Sequence, residues 1–247
     1  MANQPQQPDT ALHNASHLMQ YHDLIESIVA ALDARDAYTA SHSDRVADMV
    51  LVLAAALGLD EDETTLIHMA AHLHDIGKIA VPDSVLRKAG PLTRPEWEEM
   101  RRHPVTGYEI LRKIDDFKEI AILVRHHHER WDGRGYPDGL SGHDIPPGSR
   151  VIAVADSIDA MMSSRSYRPA MTSAACRREI EKNSGIMYDP RVAAAALEHW
   201  DELVSRYAGA DTPRTPYFDR LQLEHTRQAH DSPCPSWPQN FTCPKAR

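Results

Sequence analysis

A chain of 247 residues, 42% hydrophobic and 26% charged, can bury one substantial core or two small ones and has the composition of a soluble globular protein. Its formal net charge of −9 argues against a binder of duplex DNA or anionic membrane, while leaving room for a small anionic ligand held by a few local cations. Three cysteines make no disulfide framework, no apolar run is long enough to cross a bilayer, and the N-terminus lacks a targeting pattern, so a cytoplasmic location is expected.

Residues 1–17 are polar and proline-bearing and are expected to form a disordered leader. Leu24, Ile25, Ile28, Val29 and Leu32 then recur at helical spacing. A second helix is expected over 44–57, with Val46, Met49, Val50, Leu53 and Leu57 on one face and Gly58 as its stop. Asp60 and Glu63 form a capping-box pair for a third, which carries Leu66, Ile67, Ala70 and Leu73 towards Gly77. After a turn-rich stretch, Thr93 and Glu96 cap a helix that Pro104 interrupts just past His103, and 105–113 and 116–127 read as helical again. Glycine and proline crowd 132–148 into a loop, and helices are expected over 150–162, 172–183 and 189–207. From 209 to 247 the composition shifts to Pro, Asp, Thr, Gln and His without periodicity, the pattern of a flexible tail. No alternating strand pattern appears, so residues 18–208 read as one all-α, bundle-like domain.

The chemistry concentrates at His74-Asp75, within Ala71-His-Leu-His-Asp-Ile-Gly-Lys-Ile79. Adjacent ligand types on a helix are offset by about 100° and do not both face one small cation comfortably, but they can serve two, with the carboxylate between them. Five further residues of the same kind, His42, His103, His127, His128 and Asp156, stand in separate segments at helix ends or on apolar faces. Asp156, among Val151, Val154, Ala155 and Ile158, would be a costly buried carboxylate without a partner or an ion. Taken singly, His42 reads as a neighbour of a helix cap, His103 as a turn residue before Pro104, and 126–128 as a solvated cluster favoured by a helix dipole. Together in an apolar scaffold they read as a metal centre, and imidazole with carboxylate suits Mn, Fe, Co, Ni or Zn better than Mg. His68 and His72, spaced i, i+4, could alone suggest another metal pair.

The runs His74-Asp-Ile-Gly-Lys78, His127-His-Glu-Arg130, Asp132-Gly-Arg-Gly-Tyr-Pro-Asp-Gly-Leu140 and Val154-Ala-Asp156, with Arg165, Tyr167 and Arg168 beyond, resemble the HD-GYP family in order and spacing. The resemblance covers about residues 20–205 and implies the all-α HD-domain fold with a Gly/Pro-rich GYP loop. It implies a metal-dependent phosphodiesterase that converts cyclic di-GMP to pGpG, with further cleavage to GMP left open, in bacterial second-messenger signalling. The implied ligands of two divalent transition metals, Fe or Mn first and Ni, Co or Zn next, are His42, His74, Asp75, His103, His127, His128 and Asp156, with Asp75 bridging. Lys78 would hold a scissile phosphate oxygen or assist the leaving group, Tyr136 would line the ligand cleft, and Arg165 and Arg168 would grip the second phosphate and guanine.

The family pattern puts neither His68 nor His72 among the ligands, so both are expected at the helix surface or as neighbours of the ligands, with His126 a bystander. Ser41 replaces the glycine common before the first histidine. Three-metal members carry a glutamate four residues before that histidine; here Tyr38 stands there, a poor ligand at neutral pH, so two metals are expected. The partner implied is a cyclic dinucleotide, with a homodimeric copy or a signalling protein left open and neither duplex nucleic acid nor membrane expected. The rival reading is a non-catalytic binding module on the same scaffold, and a hybrid cyclic dinucleotide is the alternative substrate.

Overall fold

The helical periodicity is realised in space. The computed structural model describes residues 21–35, 41–164 and 169–208. Its helices are α1 (His22–Arg35), α2 (His42–Leu57), α3 (Glu61–Leu73), α4 (Asp83–Leu86), α5 (Arg94–Met100), α6 (His103–Leu111), α7 (Lys118–His126), α8 (Pro147–Met162), α9 (Ser173–Asn183), α10 (Pro190–Glu198) and α11 (Trp200–Val204). Short 3-10 turns lie at Ile76–Ala80, Asp115–Phe117, Gly142–Asp144 and Ser205–Ala208. The extended pairing among the described residues is an isolated bridge between Ser184 and Tyr188, so the all-α expectation holds.

Val46, Val50 and Leu53 of α2, Ile67, Met69 and Leu73 of α3, Ile120 and Val124 of α7, and Val151, Ile152 and Ile158 of α8 form the buried core. Each such side chain contributes about 1.5–3 kcal/mol by leaving water. Helix α2 packs against α3 and α8, α3 also against α7, and α6 against α7 and the 3-10 turn Ile76–Ala80. That arrangement turns the start of α2, the end of α3, the start of α6, the end of α7 and the middle of α8 towards one region.

Helix ends follow the capping residues. Gly58, at φ 69°, closes α2 with its N–H on the Ala54 and Ala55 carbonyls. Asp60 accepts from the Glu63 N–H at 2.9 Å, and Glu63 accepts in return from the Asp60 N–H at 3.3 Å.

Four boundaries differ from the sequence expectation. Helix α2 starts at His42 rather than 44, after Ser41 at φ 62°, a left-handed conformation that glycine adopts without cost. Pro104 does not interrupt a helix; it occupies the first turn of α6, where its missing N–H has no intrahelical partner to lose. Helix α3 stops at Leu73, so His74 caps it and Asp75, at φ −97° and ψ 4°, precedes a 3-10 turn. The last helical stretch divides at His199 (φ −99°) into α10 and α11. The expected leader at 1–17 and tail at 209–247 lie outside the described residues. No helix among the described residues is long and apolar enough to cross a membrane.

Candidate metal centre

Six of the seven expected ligands sit at helix termini. His42 opens α2, His74 and Asp75 follow α3, His103 opens α6, and His127 and His128 follow α7, while Asp156 projects from within α8. His42, His74, Asp75, His103 and His127 are buried, and His128 and Asp156 are half-buried. The folding of this corner depends on a close backbone approach. A methyl group on Gly77 would collide with the His103 carbonyl oxygen and lie 2.6 Å from the Gly107 nitrogen. Only a residue without Cβ lets the turn after Asp75 lie flat on the start of α6.

The seven residues converge. His42 Nε2 lies 3.3 Å from His74 Nε2 and 3.4 Å from Asp156 Oδ1. Asp75 Oδ2 faces that group, 3.3 Å from His74 Nε2 and 3.7 Å from His42 Nε2. The other oxygen, Asp75 Oδ1, is 3.4 Å from His103 Nε2, which in turn is 3.4 Å from His127 Nε2. The His128 ring centroid lies 4.0 Å from that of His127, the planes tilted, and 5.0 Å from that of His103. One carboxylate therefore stands between two sets of donors.

The partners of the far ring nitrogens fit these donors to metal ions. His74 Nδ1 donates to the Ala71 carbonyl at 2.7 Å, His103 Nδ1 to Met100 at 2.8 Å, and His127 Nδ1 to Val124 at 2.6 Å. His42 Nδ1 lies 2.6 Å from Asp159 Oδ2. Each ring thus aims Nε2 inward, and neutral lone pairs so close together repel unless a proton or cation lies among them.

Protonation follows the same logic. Burial opposes charge on His74, but the Asp75 carboxylate and, beyond it, Asp156 outweigh it and raise the His74 pKa to about 9. Burial also opposes the Asp75 carboxylate, yet Lys78, His74 and His103 hold it well below the usual carboxylate range. At His103 burial prevails and lowers the pKa to about 4, and it likewise keeps His127 and His128 far below the ordinary imidazole value. His103, His127 and His128 are thus neutral beside an ionised carboxylate, the state a divalent ion requires, while His74 carries a proton that a bound ion would displace.

Lys78 Nζ donates to Asp75 Oδ2 at 2.5 Å, so the ammonium stands at the centre itself. The Tyr136 ring lies tilted against that of His128 with centroids 4.8 Å apart, and the Arg101 guanidinium lies 4.6 Å above the tyrosine ring. Burial, with Asp156 and Asp75 behind it, raises the Tyr136 pKa far above its ordinary value, so the phenol stays protonated. Arg165, Arg168 and Tyr38 lie outside the described residues.

Four residues given no role at the sequence level, Asp159, Arg45, Tyr207 and Glu129, hold this site in place. Buried Asp159 accepts from Arg45 Nε at 2.5 Å, Arg45 Nη2 at 3.2 Å and the Tyr207 hydroxyl, as well as pairing with His42. Glu129, the residue after the paired histidines, is buried and accepts from the Asp138 and Gly139 N–H groups at 2.7 and 3.0 Å, fastening the loop that carries Tyr136. Of the two places expected for His68 and His72, the helix surface is corrected: both are buried, because α1 packs across that part of α3.

A model of the HD domain matches residues 23–192. The chain belongs to the HD-domain family, and its motifs resemble those of the HD-GYP branch. It is 43% identical over 177 residues to the cyclic di-GMP phosphodiesterase response regulator RpfG of Xanthomonas campestris pv. campestris, covering 71% of this chain and 47% of that protein. It is 41% identical over 188 residues to 3'3'-cGAMP-specific phosphodiesterase 2 of Vibrio cholerae, covering 74% of this chain and 35% of that protein. The chain thus spans less than half the length of these two curated relatives. Among solved structures it shares its fold with Bd1817, a HDG"Y"P protein from Bdellovibrio bacteriovorus, at a TM-score of 0.56 and 18% identity over 78% of this chain and 69% of that one.

Proposed function

We propose that this chain is a metal-dependent phosphodiesterase that hydrolyses cyclic di-GMP to pGpG and onward to GMP. The observation that supports this most is the Asp75 carboxylate, with one oxygen turned to His42 and His74 and the other to His103. In this reading His42, His74, Asp75 and Asp156 hold one divalent transition ion, Fe or Mn in first place, and Asp75, His103, His127 and His128 hold the second. Such a pair, when bound, supplies Lewis acidity towards a water molecule and a phosphoryl oxygen.

The chain's own residues bind and orient the diester. Lys78, half-buried beside Asp75, offers its ammonium to an oxygen of the scissile phosphate. Tyr136 keeps its proton and so acts as a hydrogen-bond donor at the cleft wall. Arg165 and Arg168 hold the second phosphate and guanine, as the family resemblance implies. Residues 18–208 form the phosphohydrolase domain, flanked by leader and tail, and a cytoplasmic location matches a second-messenger substrate.

A second reading, a hybrid dinucleotide as substrate, is favoured by the 41% identity to the 3'3'-cGAMP-specific relative. The test is turnover of both dinucleotides by purified protein loaded with Fe or Mn, with products separated by chromatography. Cyclic di-GMP should be consumed faster than 3'3'-cGAMP, and Asp75→Ala should abolish turnover and reduce bound metal at unchanged circular dichroism. Tight binding without product by the loaded wild type would instead identify a binding module, and undiminished turnover in Asp75→Ala would sink the metal-centre reading.

A further inference from the structure

The two histidines on α3 that the centre leaves aside belong to a cluster of their own. His68 and His72, one turn apart, meet His22, the first residue of α1. Ring centroids lie 4.7 Å apart for His68 and His72, 5.6 Å for His22 and His72, and 6.2 Å for His22 and His68. All three side chains are buried, and one ring nitrogen of each lies within 4.8 Å of the other two. None of the three is among the seven residues of the centre described above.

The orientation of the rings matches that of ligands. His68 Nδ1 donates to the Ala47 carbonyl at 3.1 Å, which leaves Nε2 as the lone-pair atom. His74, His103 and His127 are oriented by the same device. Asp44 Oδ1 stands 3.5 Å from His72 Nδ1, a carboxylate behind the ring, and His72 Nε2 points at His68 Nε2 from 3.1 Å. Two nitrogens bound at about 2.0–2.1 Å to one tetrahedral ion are separated by roughly 3.3 Å, close to that spacing. A pair of histidines at i, i+4 is also the spacing at which one helix face offers two nitrogens to one ion. A hydrogen bond between His68 and His72 would account for that pair, but not for a third imidazole brought by another helix into ligand range.

We propose that His22, His68 and His72 form a separate metal site for one borderline divalent ion of the zinc class, with solvent in the fourth position, which fastens the start of α1 to α3. The all-imidazole donor set selects Zn2+, Co2+ or Ni2+ over Mg2+ or Ca2+. The site does not depend on the phosphodiesterase reading, because its ligands are distinct and its readout is metal content.

The experiment is elemental analysis of the full-length chain, stripped with chelator, equilibrated with Zn2+ and passed through a desalting column. Wild type should carry one ion per chain more than either His22→Gln or His72→Gln, three against two when the centre holds its pair. Added Zn2+ should raise Tm less in either variant than in wild type, while His22→Gln keeps its turnover of cyclic di-GMP. Co2+ in place of Zn2+ should give wild type a visible absorption band that both variants lack. Equal metal content in wild type and both variants would overturn the proposal. Should His72→Gln fail to fold, His22→Gln decides, because it alters only the residue at the edge of the cluster.

Discussion

The orientation of His42 is set from behind by a single carboxylate. Asp159 takes hydrogen bonds from His42, Arg45 and Tyr207, and although burial opposes its charge, His42 and Arg45 hold its pKa well below the usual carboxylate range. Asp159→Asn keeps the shape but removes the anion that fixes the His42 tautomer. Metal affinity at the His42 side should fall by about 10–100-fold, with the His103 side still able to bind. A competition titration against a chelator reads this directly, and two undiminished binding steps would contradict it. Asp159 was partly legible in sequence, since it follows Asp156 by three residues on the same apolar helix. Arg45 was not, because it lies 114 residues away and local spacing says nothing about which helix will face it. The same holds for His22, whose partners are fixed only by how α1 packs on α3.

Individual helices were the most legible level, because their ends are dictated by local chemistry. The capping pairs Asp60/Glu63 and Thr93/Glu96 both stand at helix starts. Errors arose where one residue has two meanings: Pro104 breaks a helix interior but favours a first turn, and only the position of His103 against Gly77 decides between them. The cap of α5 has a consequence for pH. Glu96 accepts from Lys88 Nζ at 2.5 Å, the Thr93 N–H at 2.7 Å and the Thr93 hydroxyl at 2.8 Å, and these contacts, Lys88 foremost, lower its pKa from 4.5 to about 2. A depressed carboxylate binds fewer protons folded than unfolded, so its contribution is complete above pH 4.5 and is lost as pH falls towards 2. Carboxyl-carbon NMR should give Glu96 a midpoint near 2, moving up towards the free value in Lys88→Ala; a wild-type midpoint near 4.5 would show the cap to be open in solution.

For the molecule as a whole, what spacing could not provide was convergence. Seven candidate ligands come from five helices, and no periodicity says that the ends of α3 and α7 meet the starts of α2 and α6; the family resemblance carried that step, and the packing of the core explains it. The far end of the described chain also takes part, since Tyr207, in the 3-10 turn Ser205–Ala208, reaches Asp159. A chain ending at Ala208 should therefore keep its Tm and metal content, whereas one ending at Val204 should melt earlier and hold metal more weakly. Equal behaviour of the two truncations in a thermal melt and a metal titration would remove Tyr207 from the site. Asp75, finally, turns a different oxygen to each set of histidines, which makes the two halves a cooperative pair rather than two independent receptors. Filling either half fixes and partly neutralises the carboxylate the other needs, and reciprocity requires the two affinities to change by one common factor whichever ion enters first. Loading curves for this centre should depart from two independent sites, and in Asp75→Ala whatever binding survives should lose that mutual dependence.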